Sequence, residues 1–249
     1  MTKIHGPNQP NETGTNIYCA KSPFLGLMNP APTIDRDPFR VNFLKYTRRA
    51  WEMLPSLDHP DILDIACGSG IPTIELARWS GGTVTGMDLD MEALERLSER
   101  AAMEGLKGRI RTVVGSFYGI ELPSQSFDII WAEGAVNIMG FERALREWRR
   151  LLRPGGFLVL HDEAADLPSK LAHIPEAGYE LIGHFRLPDD AWLTEYYLPL
   201  LQEAERTFEA SGTHAAKYEL DRIREEAEHC RLGSQEFRSV FMVMRRAEQ

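Results

Sequence analysis

The residues best suited to chemistry lie in Asp61-Ile-Leu-Asp64-Ile-Ala-Cys-Gly68-Ser-Gly70. An apolar run carrying a carboxylate breaks into small residues, and a helical pattern begins near Ile71. Gly68 and Gly70 remove side chains where the chain must bend sharply, so a ligand can approach the backbone there. In open parallel sheets, ligands bind beyond the carboxyl ends of the strands, at turns of this kind. A second acid, Asp88, closes the next apolar run at Gly86-Met87-Asp88. An acid in that position is expected to accept hydrogen bonds from both hydroxyls of a ribose.

Which nucleotide the turn takes can be argued from charge. A dinucleotide fingerprint G-x-G-x-x-G would require glycine at position 73, where the chain has Thr73. Asp64, close to the turn, would repel a pyrophosphate, but it suits a ligand bearing an ammonium and a sulfonium. These residues therefore favour S-adenosylmethionine over a nicotinamide dinucleotide.

The elements that must carry these acids follow from periodicity. Phe39, Phe43, Tyr46, Ala50 and Leu54 repeat on one helix face that ends at Pro55. Apolar strand runs at 62–66, 83–87, 110–114, 127–131 and 157–160 then alternate with helical stretches. One of these carries Leu94, Leu97 and Ala101, with Asp90 as its N-cap, and another carries Phe141, Ala144, Leu145, Trp148, Leu151 and Leu152. Two further strands are expected at 179–185 and 237–244. The long gap between them calls for helices, because a structureless loop of that length is uncommon in a compact domain. The predicted fold is therefore α/β: a Rossmann-like, seven-stranded, mostly parallel sheet flanked by helices, with a helical cap at 188–233 inserted before the last strand. Residues 1–37, rich in Pro, Gly, Asn and Thr, read as an irregular N-terminal arm that folds over the site, ahead of a single domain at 38–249.

With two carboxylates at adjacent strand ends around a glycine turn, the chain resembles the class I S-adenosylmethionine-dependent methyltransferase family over about residues 60–165. The resemblance implies methyl transfer, and it places Ala66 where the family usually has the first glycine of the turn. Gly115-Ser116-Phe117 falls where the family commonly has Gly-Asp-Ala, whose acid binds the adenine amino group; here Ser116 would accept that hydrogen bond and Phe117 would stack on the base. Ser126-Phe127-Asp128 through Ala135 is similar to the family's fourth strand, whose end faces the reactive methyl group. Leu151 to Gly156 is similar to its turn into the fifth strand. Together these imply a cofactor set of Asp64, Ala66, Gly68, Gly70, Asp88, Leu89, Ser116, Phe117, Ala132 and Glu133. The Trp-Ala-Glu-Gly form of the fourth strand end, with Ala177 to Tyr179 and Trp192 to Pro199, is similar to a subgroup of small-molecule methyltransferases.

Two catalytic candidates follow. Glu133 is a general base or a ligand for the methionine ammonium, against the plainer reading of a loop carboxylate. His161, at the end of the fifth strand, is a second base candidate, against that of a solvated or hydrogen-bonded histidine. Trp192, Tyr196 and Tyr197 are candidates to line an acceptor pocket, although an aromatic stripe at helical spacing also suits a core. Arg143, Arg146, Arg149 and Arg150 read as a solvated helix face.

The chain has 28 Lys+Arg against 37 Asp+Glu and a formal net charge of -9, which gives no electrostatic drive toward a phosphate backbone. The start lacks an apolar signal stretch, and no apolar run approaches a membrane span, so a cytoplasmic chain is expected. Three scattered cysteines, Cys19, Cys67 and Cys230, indicate neither a disulfide framework nor a zinc site, and no metal is expected. The expected partner is a small-molecule methyl acceptor, with no nucleic acid and no membrane; a homodimer is one open possibility for the assembly. Two other functions stay open: a cofactor-binding regulatory protein without transfer activity, and a nicotinamide-dependent oxidoreductase.

Overall fold

In the computed structural model, residues 34–233 and 237–248 are described. The expected arm at 1–37, including its folding over the site, lies outside the described residues except for its last four positions.

The strands form a seven-stranded sheet in the order β3-β2-β1-β4-β5-β7-β6. They are β1 (Asp61–Ile65), β2 (Thr83–Asp88), β3 (Ile110–Val114), β4 (Phe127–Glu133), β5 (Leu152–Glu163), β6 (Tyr179–Arg186) and β7 (Ser239–Arg246). Only β7 runs antiparallel to its neighbours, and it sits between β5 and β6. The sheet order reverses between β1 and β4, which sets the crevice at the carboxyl ends of those two strands.

Helical residues begin with α1 (Asp37–Arg40), a 3₁₀ turn (Val41–Phe43) and α2 (Leu44–Trp51). The helices α3 (Ile71–Ser80), α4 (Met91–Met103), α5 (Val136–Met139) and α6 (Phe141–Trp148) follow strands β1, β2 and β4. Asp90 caps α4 as expected, its carboxylate accepting from the Ala93 N–H at 3.0 Å. The stripe Phe141, Ala144, Leu145 and Trp148 of α6 is buried in a core that also takes Leu63, Ile65, Ile130, Leu158 and Met242 from one sheet face. Truncating a fully buried tryptophan such as Trp148 would cost about 3–5 kcal/mol.

Three local readings are corrected. Leu152 begins β5 rather than ending a helix: Pro154-Gly155-Gly156 forms an irregularity inside the strand, where β5 advances from Leu152 to Phe157 while β4 advances only from Phe127 to Ile129. Gly155 takes φ +73 there, a conformation that reads in sequence as a break. An additional helix, α7 (Leu167–Glu176), fills the β5–β6 connection. Arg149 departs from the expected solvated face, being half-buried with its Nε enclosed, whereas Arg150 is exposed and its guanidinium also donates to the backbone carbonyls of Ile120 and Leu122. Arg143, by contrast, is an exposed partner of Glu147.

The gap between β6 and β7 is filled by a π-helical turn (Trp192–Tyr197), α8 (Leu198–Ser211) and α9 (His214–Arg231). Pro199, in the first turn of α8, has no N–H to offer the Glu195 carbonyl four residues back. That carbonyl instead accepts from the Asn42 side chain at 2.7 Å, which ties the 3₁₀ turn of the N-terminal helices to this segment.

Candidate active site

The glycine turn links β1 to α3 through three left-handed residues, Ala66 at φ 57, Gly68 at φ 53 and Gly70 at φ 78. Ala66 bears a side chain in a conformation that glycine tolerates best. The two glycines serve different ends. A Cβ on Gly70 would lie 2.2 Å from Leu97 Cδ1 on α4, so this position is bare because the helix packs on it. A Cβ on Gly68 would meet nothing within 4 Å, which leaves open space above the backbone at the tip of the turn.

Asp88 fixes that turn from the next strand. One carboxylate oxygen accepts from the Gly68 N–H at 2.8 Å, the other from the Asp90 N–H at 3.0 Å. Each oxygen retains a further lone pair for a ligand hydroxyl. Leu89 beside it is 47% exposed, an apolar surface at the same strand end.

Asp64 is 2% exposed, and its carboxylate accepts from Thr73 Oγ1 at 2.6 Å. Burial pushes its pKa up to about 8; the Thr73 hydrogen bond opposes this, while the charges of Glu133 and Asp88 add to it. Glu133 belongs to the same face. Asp64 pairs in register with Trp131, and Glu133 lies two residues further along β4. One Glu133 oxygen accepts from Trp131 Nε1 at 2.7 Å and from Thr47 Oγ1 at 3.0 Å. Burial still raises the Glu133 pKa against those two hydrogen bonds and the charge of Arg40. Two acids that would ionise more readily beside a cation therefore share one site.

His161 stands opposite Glu133 in the β4–β5 register and opposite Phe241 in the β5–β7 register. Its ring stacks on Phe241 at 4.5 Å and lies nearly parallel to Trp192 at 6.2 Å. Its Nε2 is buried with no hydrogen-bond partner. Burial, with a smaller contribution from Arg40, lowers its pKa to about 3, so the imidazole is neutral.

The remaining sequence candidates divide. Ser116 Oγ accepts from the Tyr118 N–H at 3.1 Å, and half-buried Phe117 packs against the core. Ala132 is fully buried within that core, so only its backbone can reach the crevice. Trp192 anchors its indole on Ser239 Oγ at 2.7 Å and faces His161, whereas Tyr196 and Tyr197 are buried in the aromatic cluster around it.

Sequence reasoning missed four residues here: Asp37, Arg40, Thr47 and Glu195. Asp37 accepts from Ser69 Oγ at 2.6 Å and from Arg100 at 2.9 Å, which clasps α1 to the glycine turn. Glu195 accepts from Tyr46 Oη at 2.8 Å and pairs with Lys45 at 2.8 Å. The polar positions of the N-terminal helix pattern were the only signal available for the first three.

The cofactor can be tested against these residues. The open approach at Gly68, the carboxylate of Asp88, and the acids Asp64 and Glu133, whose pKa values burial raises, would fit a nucleoside that carries positive charge. They do not suit a pyrophosphate.

Comparison with known proteins agrees. Residues 62–156 match the family described as "Methyltransferase domain". The chain is 33% identical over 127 residues to "Methyltransferase GfsG" of Streptomyces halstedii, covering 51% of this chain and 46% of that protein. The chain thus spans about half or less of the length of the first curated relatives it matches. Its fold is that of a solved S-adenosylmethionine-dependent methyltransferase from Thiobacillus denitrificans in complex with S-adenosyl-L-homocysteine, with a TM-score of 0.67 and 20% identity over 87% of this chain and 99% of the other. It is equally the fold of the [4+2]-cyclase SpnF, with a TM-score of 0.67 and 18% identity over 82% of this chain and 81% of the other. Residues 62–156, which hold the acid-flanked glycine turn, are thus similar to the methyltransferase domain family, and the sheet as a whole has the fold of a solved S-adenosylmethionine-dependent methyltransferase.

Proposed function

We propose that the chain transfers a methyl group from S-adenosylmethionine to a small-molecule acceptor. The observation that carries this is the pair of acids, buried Asp64 and half-buried Glu133, on one sheet face beside an open glycine turn. When bound, S-adenosylmethionine supplies a methyl group already activated on a sulfonium, so the protein's task is alignment, exclusion of water and handling of the acceptor's proton. Asp88 and the Gly68 backbone would hold the ribose end, and Asp64 would face the ammonium.

Of the two base candidates, Glu133 is the stronger. Its raised pKa lets it take a proton, and Trp131 and Thr47 hold the carboxylate in one orientation. His161, with its pKa near 3, is a poor base and acts instead as a neutral hydrogen-bond partner. Among the described residues no helix is long and apolar enough to cross a membrane.

The similarity to a cyclase shows that this fold alone does not establish transfer. The test is release of S-adenosylhomocysteine from labelled S-adenosylmethionine in the presence of a small-molecule extract, with the labelled product isolated. Glu133→Gln should lower kcat by about 100-fold or more while leaving S-adenosylhomocysteine affinity within a few-fold. Cofactor binding by the wild-type chain without any labelled product would instead favour a regulatory binding protein.

A further inference from the structure

Arg40 closes α1 with its guanidinium carbon 5.0 Å from the Trp192 ring centroid and 5.1 Å from that of Tyr196. It has no carboxylate partner among the described residues. Arg36, by contrast, pairs with Glu219 and Glu226, Arg100 with Asp37, and Arg153 with Asp61 and Asp128, while Arg49 shares the aromatic setting, 4.0 Å from the Phe185 centroid. Glu195, the acid of the same aromatic turn, is already held by Tyr46 and Lys45. A guanidinium laid over aromatic faces keeps its edge donors free, in the fork that fits a carboxylate or phosphate. Trp192, on which Arg40 rests, also lies nearly parallel to the His161 ring, and the Arg40 charge is near enough to act on both Glu133 and His161.

His161 supplies a second, independent sign of a ligand. The residue is 7% exposed, and its Nε2 has no partner. A buried polar atom left unpaired costs free energy unless something bonds to it. The imidazole is fixed between Phe241 and Trp192, the ring on which Arg40 also rests.

We propose that Arg40 and His161 anchor the methyl acceptor, which carries a carboxylate or phosphate for Arg40, a polar group for His161 Nε2, and an apolar body that lies along Trp192. This assignment rests on the methyl-transfer reading and narrows its substrate class to anions.

The test titrates benzoate, phenyl phosphate and neutral benzamide into the full chain saturated with S-adenosylhomocysteine. At least one of the two anions should bind about tenfold or more tightly than benzamide, and which one does so distinguishes a carboxylate from a phosphate acceptor. Arg40→Gln should abolish that preference, Arg40→Lys should restore part of it, and His161→Phe, which keeps the stack, should weaken all three probes. S-adenosylhomocysteine affinity should stay within about twofold in each variant. Equal binding of benzoate, phenyl phosphate and benzamide by the wild type, or no binding of any of them, would overturn the assignment. So would an Arg40→Gln variant that loses cofactor affinity but keeps the anion preference, since Arg40 would then serve the cofactor's own carboxylate. Failure of the folded wild type to bind S-adenosylhomocysteine would instead sink the methyl-transfer reading, and is measured separately.

Discussion

The proposed nucleoside side of the crevice and its proposed acceptor side are assembled differently. Around the glycine turn, Asp64, Gly68, Gly70, Thr73 and Asp88 come from one continuous stretch spanning β1, α3 and β2, and the Gly68–Asp88 and Asp64–Thr73 hydrogen bonds close within it. On the acceptor side, Arg40, Thr47, Glu133, His161 and Trp192 come from five separate segments and meet only because β4 and β5 lie side by side under the N-terminal helices and the π-helical turn. A consecutive stretch can encode a cofactor site through local turn chemistry, whereas a dispersed set can change one segment at a time. The same division explains how one sheet can serve acceptors of different chemistry.

The sharpest way to break this comparison is at Asp88. Asp88→Ala removes the acceptor of the Gly68 N–H and the proposed ribose contacts together, and should weaken S-adenosylhomocysteine binding about 100-fold by calorimetry. A small effect would mean the nucleoside is held elsewhere.

The paired glycines sharpen it next. Gly70→Ala forces a methyl into Leu97 at a left-handed position, and should lower the unfolding free energy by about 2–3 kcal/mol, read from denaturant melts. Gly68→Ala meets no neighbour, so it should cost only about 1 kcal/mol of stability while markedly weakening the cofactor. Equal stability losses at the two positions would contradict their separate roles.

The smallest expected effect is the pH dependence of Asp64. With a pKa of about 8 in the folded chain and 3.8 as its ordinary value, the folded state keeps a proton that the unfolded state releases. The contribution of Asp64 to stability therefore falls as pH rises from about 4 to 8 and is level above that. A cationic ligand prefers the ionised form, so S-adenosylmethionine affinity should climb by up to about tenfold between pH 7 and pH 8 and then level off. Titrations at stepped pH check this, and Asp64→Asn should flatten the curve.

Much of this was legible in the sequence because its signals are local. The strand runs, the left-handed glycines and the Asp90 cap each depend on residues within a few positions of one another. Helix α7 was not read from the sequence: its stripe of Leu167, Leu171 and Ile174 is short and interleaved with Pro168 and Pro175, and only Ile174 is fully buried. The start of β5 was hidden by a Pro-Gly-Gly segment that normally breaks a strand. Arg40 and Thr47 lie among the polar positions of an amphipathic pattern, and only the fold turns them toward Glu133 and the aromatic rings.

The most direct test is a calorimetric titration of the full chain with S-adenosylmethionine and its demethylated product, with NADH as the control. The account predicts saturable binding of both sulfur nucleosides at one site, with a proton released on binding S-adenosylmethionine near neutral pH, and no heat from NADH. A folded chain that binds neither sulfur nucleoside, or that binds NADH in their place, would contradict it.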